Sequence, residues 1–167
     1  MKSFNDSYGI ESDVETAIGL MTTEQYIKEK YTAMGANQLR VTVLEDSDEK
    51  FHSRVERVVR MRDKAPGFAK KLLKEEMTVV HEVWWGKTGD VKQGGFKGEL
   101  PGMSGGIEAD LSMADDGDGK AVISIEGRVS VGIPLIGGKL ESYMAGIASD
   151  KFREDIEATR NYLKAHA

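Results

Sequence analysis

Hydrophobic and polar positions change period twice along the chain. Residues from Phe4 to Ile10 read as an extended stretch, and Ser12 with Glu15 forms a capping-box pattern that predicts a short helix to about Leu20. Thr22 or Thr23 can cap a second helix, whose stripe is Tyr26, Ile27, Lys30, Tyr31 and Met34 and whose stop is Gly35. From Gln38 the period falls to two: Leu39, Val41 and Val43 alternate with polar neighbours up to a turn at residues 45–49. Phe51, Ser53, Val55, Arg57, Val59 and Met61 then share one face of a long strand, broken by Ala65-Pro66-Gly67. Residues 68–74 predict one or two helical turns. Further strands are predicted over residues 77–85, 91–100, 105–114 and 120–132. Residues 139 to about 164 predict one long helix striped with Leu140, Tyr143, Met144, Ile147, Phe152, Ile156 and Leu163.

The order is therefore strand, two short helices, six-strand meander, long helix. A sheet of about seven strands with one apolar face needs a cover, and the last helix supplies it. Residues 86–106 hold eight glycines, which suits a curved sheet better than a flat one over a solid core. A length of 167 residues fits one α+β domain spanning 1–167, and 40% hydrophobic residues suffice for a real core. The absence of cysteine removes thiol nucleophiles, thiolate metal sites and disulfides. No apolar run approaches the roughly 20 residues of a membrane span, and the N-terminal stretch does not resemble a signal peptide, so the expected location is the cytoplasm.

Most chemical motifs fail on context. Gly102-Met-Ser104-Gly-Gly106 matches a nucleophile elbow as text, yet a period-two strand follows it instead of a helix. Near Gly137 and Gly138 the phosphate-loop pattern has Lys139 one residue late and Leu140 where a hydroxyl is needed. The run from Asp115 to Gly119 would put Ala114 and Ile125 at the carboxylate positions of a calcium loop, so an acidic hairpin turn is expected. His52, His81 and His166 lack ligand spacing; no catalytic residue, metal or cofactor is expected.

Polar residues on apolar faces are more informative, because burying them costs free energy. Arg57 lies on the face of Phe51, Val55, Val59 and Met61, and His81 on that of Met77, Val79, Val83 and Trp85. Antiparallel pairing of these strands places position 57 opposite roughly 81 or 82, with both polar residues on one face. They would form a cationic, hydrogen-bonding spot in an apolar cavity, or sit structurally satisfied with Arg57 paired to Glu82. The candidate lining is Arg57, Val59, Met61, His81, Val83 and Trp85 from the sheet, with Tyr143, Met144 and Ile147 opposite. Carriage of a drug-sized ligand requires an internal space of about 300 Å³ or more. Net charge is −5, but residues 50–76 alone carry +5, from nine Lys or Arg against four acids. Arg54, Arg60, Arg62, Lys64, Lys70, Lys71 and Lys74, around Phe68, Leu72 and Leu73, suit transient contact with a membrane surface. No nucleic-acid motif is present, so that partner is not expected.

The element order, and above all the passage Val131-Gly-Ile-Pro134-Leu-Ile-Gly137-Gly138-Lys-Leu140-Glu141 leading into the last helix, resembles the helix-grip superfamily (SRPBCC). That group includes START lipid-transfer domains, pollen-allergen-like proteins and polyketide-cyclase-like proteins. The passage looks like a bacterial branch of it, one without assigned catalytic residues or function. The resemblance implies a curved antiparallel sheet wrapped around the C-terminal helix, with a cavity that holds a hydrophobic or amphipathic, lipid-like molecule. A cyclase-like or aromatase-like enzyme using cavity polar residues, or an interaction module such as a chaperone cofactor, are the alternatives. Oligomeric state is not legible.

Overall fold

In a computed structural model describing residues 1–100 and 102–167, the chain forms seven strands and four helices. These are β1 (Lys2–Gly9), α1 (Val14–Met21), α2 (Glu24–Ala33), β2 (Asn37–Asp46), β3 (Lys50–Val59), α3 (Gly67–Lys70), β4 (Met77–Gly86), β5 (Lys92–Glu99), β6 (Gly105–Asp115), β7 (Ala121–Val131) and α4 (Gly137–His166). The strands make one antiparallel sheet in the order β1-β7-β6-β5-β4-β3-β2. The meander β2 to β7 thus runs across the sheet in sequence, while β1 crosses to pair with the last strand. α4 lies against β7 and β1, and α1 and α2 pack beside its C-terminal half. Among the described residues no helix is long and apolar enough to cross a membrane.

Local chemistry accounts for the boundaries, with some shifts from expectation. Asp13, not Ser12, caps α1: its Oδ1 accepts from the Thr16 amide at 2.8 Å and its Oδ2 from the Thr16 hydroxyl at 2.8 Å. A carboxylate satisfies both donors, which Ser12 cannot do from one residue further out. Thr23 caps α2 through the Tyr26 amide at 3.1 Å, and Gly35, at φ +82, turns the chain out of it. β3 ends at Val59, so Met61 sits beyond the strand at the start of a 3₁₀ turn, Arg62–Lys64. The 68–74 segment forms a single turn at its start.

Gly102 to Ser104 belong to a strand connection: the Ser104 carbonyl accepts from the Gly132 amide at 3.0 Å, and Gly105 and Gly106 already begin β6. The acidic hairpin consumes its own carboxylates, since Asp115 Oδ1 accepts from the Gly117 amide at 2.6 Å and Asp116 Oδ1 from the Asp118 amide at 2.7 Å.

Two positions reveal how tightly the sheet grips. Gly127 is the direct cross-strand partner of Phe4, whose ring lies over it where a Cβ would stand, and that ring reaches Phe152 of α4 at 6.0 Å. Gly127→Ala must displace the ring from the core, so a loss of about 1–3 kcal/mol is expected in chemical denaturation. Leu135, between β7 and α4, has φ +69 and a fully exposed side chain. Left-handed backbone is costly for leucine and mild for asparagine. Leu135→Asn is accordingly expected to stabilise by about 1 kcal/mol, read as a raised urea midpoint.

Candidate functional site

The interior divides into two apolar clusters. One, under α1, α2 and the C-terminal half of α4, includes Phe51, Val55, Trp85, Leu111, Ile123, Ile125 and Ile156. The other, under α3 and the N-terminal half of α4, includes Met77, Val129, Leu140 and Met144. The nine candidate residues fall on both sides of this division. Val83 and Trp85 belong with the first; Val59, Met61, Tyr143, Met144 and Ile147 belong with the second.

A cavity of about 50 Å³ lies in the first cluster, well below the expected 300 Å³. Val83, Trp85, Phe96, Ile123 and Phe152 are among its apolar walls, while Tyr26, Lys30, Tyr31, Ser53 and Asp155 give it a polar side. Of the nine candidates only Val83 and Trp85 line it.

That polar side is built from three elements. On α2, Lys30 points inward from the same stripe as Tyr26 and Tyr31 and is 5% exposed. Its Nζ pairs with Asp155 of α4 at 2.9 Å and lies 4.8 Å from the ring centres of both Tyr26 and Tyr31. Burial alone pushes the Lys30 pKa down, but the Asp155 carboxylate more than reverses this and leaves it above the ordinary value. The Tyr26 hydroxyl meets Thr159 Oγ1 at 2.7 Å. Burial drives the Tyr31 pKa up to about 12 against the pull of Lys30. Ser53 of β3 is fully buried, and its Oγ has no hydrogen-bond partner among the described residues.

Arg57 and His81 do face the same side of the sheet, but the register differs by two residues from expectation. Val55 stands opposite His81 and Arg57 opposite Val79, because β3 ends at Val59, paired with Met77, rather than running on through Met61. The two polar residues are diagonal neighbours joined through Tyr31. The Tyr31 hydroxyl and His81 Nε2 share a 2.8 Å hydrogen bond, and the Arg57 guanidinium lies 5.4 Å from the Tyr31 ring centre. His81 is buried and stacked on Phe96 at 4.9 Å. Burial first, then the Arg57 and Lys30 cations, hold its pKa well below the ordinary 6.5. Arg57 does not pair with Glu82, which instead meets His52 at 3.0 Å. Its Nε is buried without a partner among the described residues.

Residues 7–163 match the family described as "Protein of unknown function (DUF2505)". The chain belongs to that family. Among curated proteins nothing matches this DUF2505 chain. Solved structures do. TTHA0849 from Thermus thermophilus superimposes with a TM-score of 0.65 at 11% identity, covering 99% of each chain. A START superfamily protein from Mycobacterium smegmatis gives 0.59 at 10%, again over 99% of each. The ZhuI aromatase/cyclase from Streptomyces sp. R1128 gives 0.63 at 7%, over 98% of this chain and 93% of that one. At such identities the likeness is one of fold: this DUF2505 domain has the helix-grip architecture, a curved sheet closed by its C-terminal helix.

Proposed function

We propose that the chain binds a small apolar or amphipathic molecule between the sheet and α4, its apolar part among Trp85, Phe96, Ile123 and Phe152 and its polar group toward Ser53 and Lys30. The observation carrying this reading is the polar wall of an otherwise apolar cavity. A buried ion pair and an unpartnered hydroxyl are poor ways to stabilise a core, where apolar side chains of the same volume do as well or better. They are good ways to orient a ligand's single polar end. The half-buried Val83, Phe96 and Phe152 form the thin side of the wall. A drug-sized ligand requires Phe96 and Phe152, in edge-to-face contact at 5.2 Å, to part. The same architecture in a START superfamily protein and in an aromatase/cyclase supports a small organic occupant. His81 does not line the cavity and its Nε2 is engaged by Tyr31, which favours binding over proton-transfer catalysis.

The test is native mass spectrometry of the purified chain, followed by organic extraction and identification of what is released. It is paired with thermal melting against fatty acids, fatty alcohols and polycyclic phenols. A retained molecule or a saturable melting shift is expected. Ser53→Val removes the orphan hydroxyl and fills space, so it should stabilise the unliganded chain by about 1 kcal/mol and weaken retention. No retained species together with no shift from any member of the panel would overturn the reading.

A further inference from the structure

The connections β3 to β4, β5 to β6 and β7 to α4 all leave the sheet at one end, because β3, β5 and β7 run toward it and β4 and β6 start from it. That end carries an unusual surface. Phe68 on α3 is 38% exposed although its ring meets Tyr143 of α4, and Leu135 projects fully into solvent. Around them stand Arg62, Lys64, Lys70, Lys71 and Lys74, with Lys139 in the first turn of α4. Among the described residues none of these six cations is in an ion pair, so their charge is uncompensated locally, whereas Lys28, Arg40, Lys87, Lys120, Arg128, Lys151 and Arg153 are paired and Lys2, Lys50, Lys97 and Lys164 stand as scattered single cations. The acids at this end are Asp63, Glu75, Glu76, Glu99 and Glu141. Glu76 is held by Arg60, and Glu141 by the Met1 ammonium and the Val131 amide.

We infer that this end of the domain docks on an anionic phospholipid surface, with Phe68 and Leu135 entering the headgroup region and Lys64, Lys70, Lys71, Lys74 and Lys139 lying over the lipid phosphates. Cations gather at a negatively charged leaflet, and apolar tips among them find the acyl boundary. A protein partner or a nucleic acid would account for the charge. A nucleic acid does not account for a leucine held fully in solvent on left-handed backbone; an acidic protein groove would account for both, and is the outcome indicated if the vesicles fail to bind. This inference is independent of the interior cavity and stands or falls without it.

The experiment is co-sedimentation of the full chain with vesicles of phosphatidylcholine alone and of equimolar phosphatidylcholine and phosphatidylserine, at low and high salt. Binding to the anionic vesicles, weakened by salt, and little to the neutral ones is expected. Each lysine is worth roughly fivefold near such a surface, so K70Q/K71Q/K74Q should lower affinity on the order of 100-fold. Leu135→Asn, which favours the native backbone, should fold at least as well as the parent and bind the anionic vesicles several-fold more weakly. Urea denaturation of each variant confirms that the fold is intact. Absence of binding to anionic vesicles overturns the inference. So does vesicle binding that L135N and the triple variant leave unchanged, or binding to single-stranded RNA homopolymer that matches vesicle binding and ignores Leu135→Asn.

Discussion

Asp155→Asn is expected to cost about 3–5 kcal/mol, the largest single loss among the site residues, because it leaves the Lys30 ammonium buried without a counter-charge. The two halves of the pair are not equivalent. The Lys30 side chain is 6% exposed and Asp155 21%, so Lys30→Met, which leaves the wetter partner behind, should cost less. The double variant Lys30→Met with Asp155→Leu should recover most of the loss, since an apolar pair of similar volume replaces an ion pair that carried a full desolvation penalty. Urea titration of the parent, Lys30→Met, Asp155→Leu and the double variant forms a double-mutant cycle. A double variant as unstable as Asp155→Asn would mean that Lys30 and Asp155 act separately rather than as a pair.

The second large effect is acid sensitivity centred on His81. Its folded pKa lies well below 6.5, so above about pH 7 the ring is neutral in both folded and unfolded chains and contributes no pH dependence. Below 6.5 the unfolded chain takes up a proton that the folded chain refuses. Stability is therefore lost as pH falls, at up to about 1.4 kcal/mol per unit, until the depressed folded pKa is reached. The Arg57 and Lys30 cations add to burial in the same direction. His81→Gln keeps a hydrogen-bonding group toward Tyr31 but does not titrate, so its stability between pH 7 and pH 5 should fall less steeply than the parent's. Parallel profiles would remove His81 from the account.

Much of the fold was legible because its two periods are clean. Alternation at 39–43 and 51–59 and the helical stripe from Leu140 to Leu163 each specify one buried face, and the order of elements then leaves few ways to cover a sheet. The register of β3 on β4 was legible in parity, which keeps Arg57 and His81 on one side, but not in offset. The apolar alternation continues to Met61 while pairing stops at Val59, and no periodicity reports where a strand leaves the sheet. Met61 missed the strand for the same reason.

The polar wall was half visible. Lys30 stands at an apolar-stripe position of α2, a signal as strong as Arg57's, and its long methylene stem is what allowed it to count as part of the stripe. Asp155 carries no comparable mark: α4 holds Asp150, Glu154, Asp155 and Glu157 in close succession, and only the three-dimensional approach of α2 to α4 selects one of them. The volume of the cavity depends on the rotamers of Phe96 and Phe152, which composition does not encode.

The pairing of the first strand with the last has a kinetic consequence. Phe4 and Gly127 are direct partners, so β1 leaves the ribosome long before anything exists for it to pair with. Its inward face must wait through the synthesis of six further strands, and the entropy of closing a loop of that length is lost before the pairing contributes any free energy. Folding of the isolated chain should accordingly fall in the slow, millisecond-to-second range of sheet-rich domains. The nascent meander, open at its β7 edge until β1 docks, is the stage at which the chain is most exposed to misassembly.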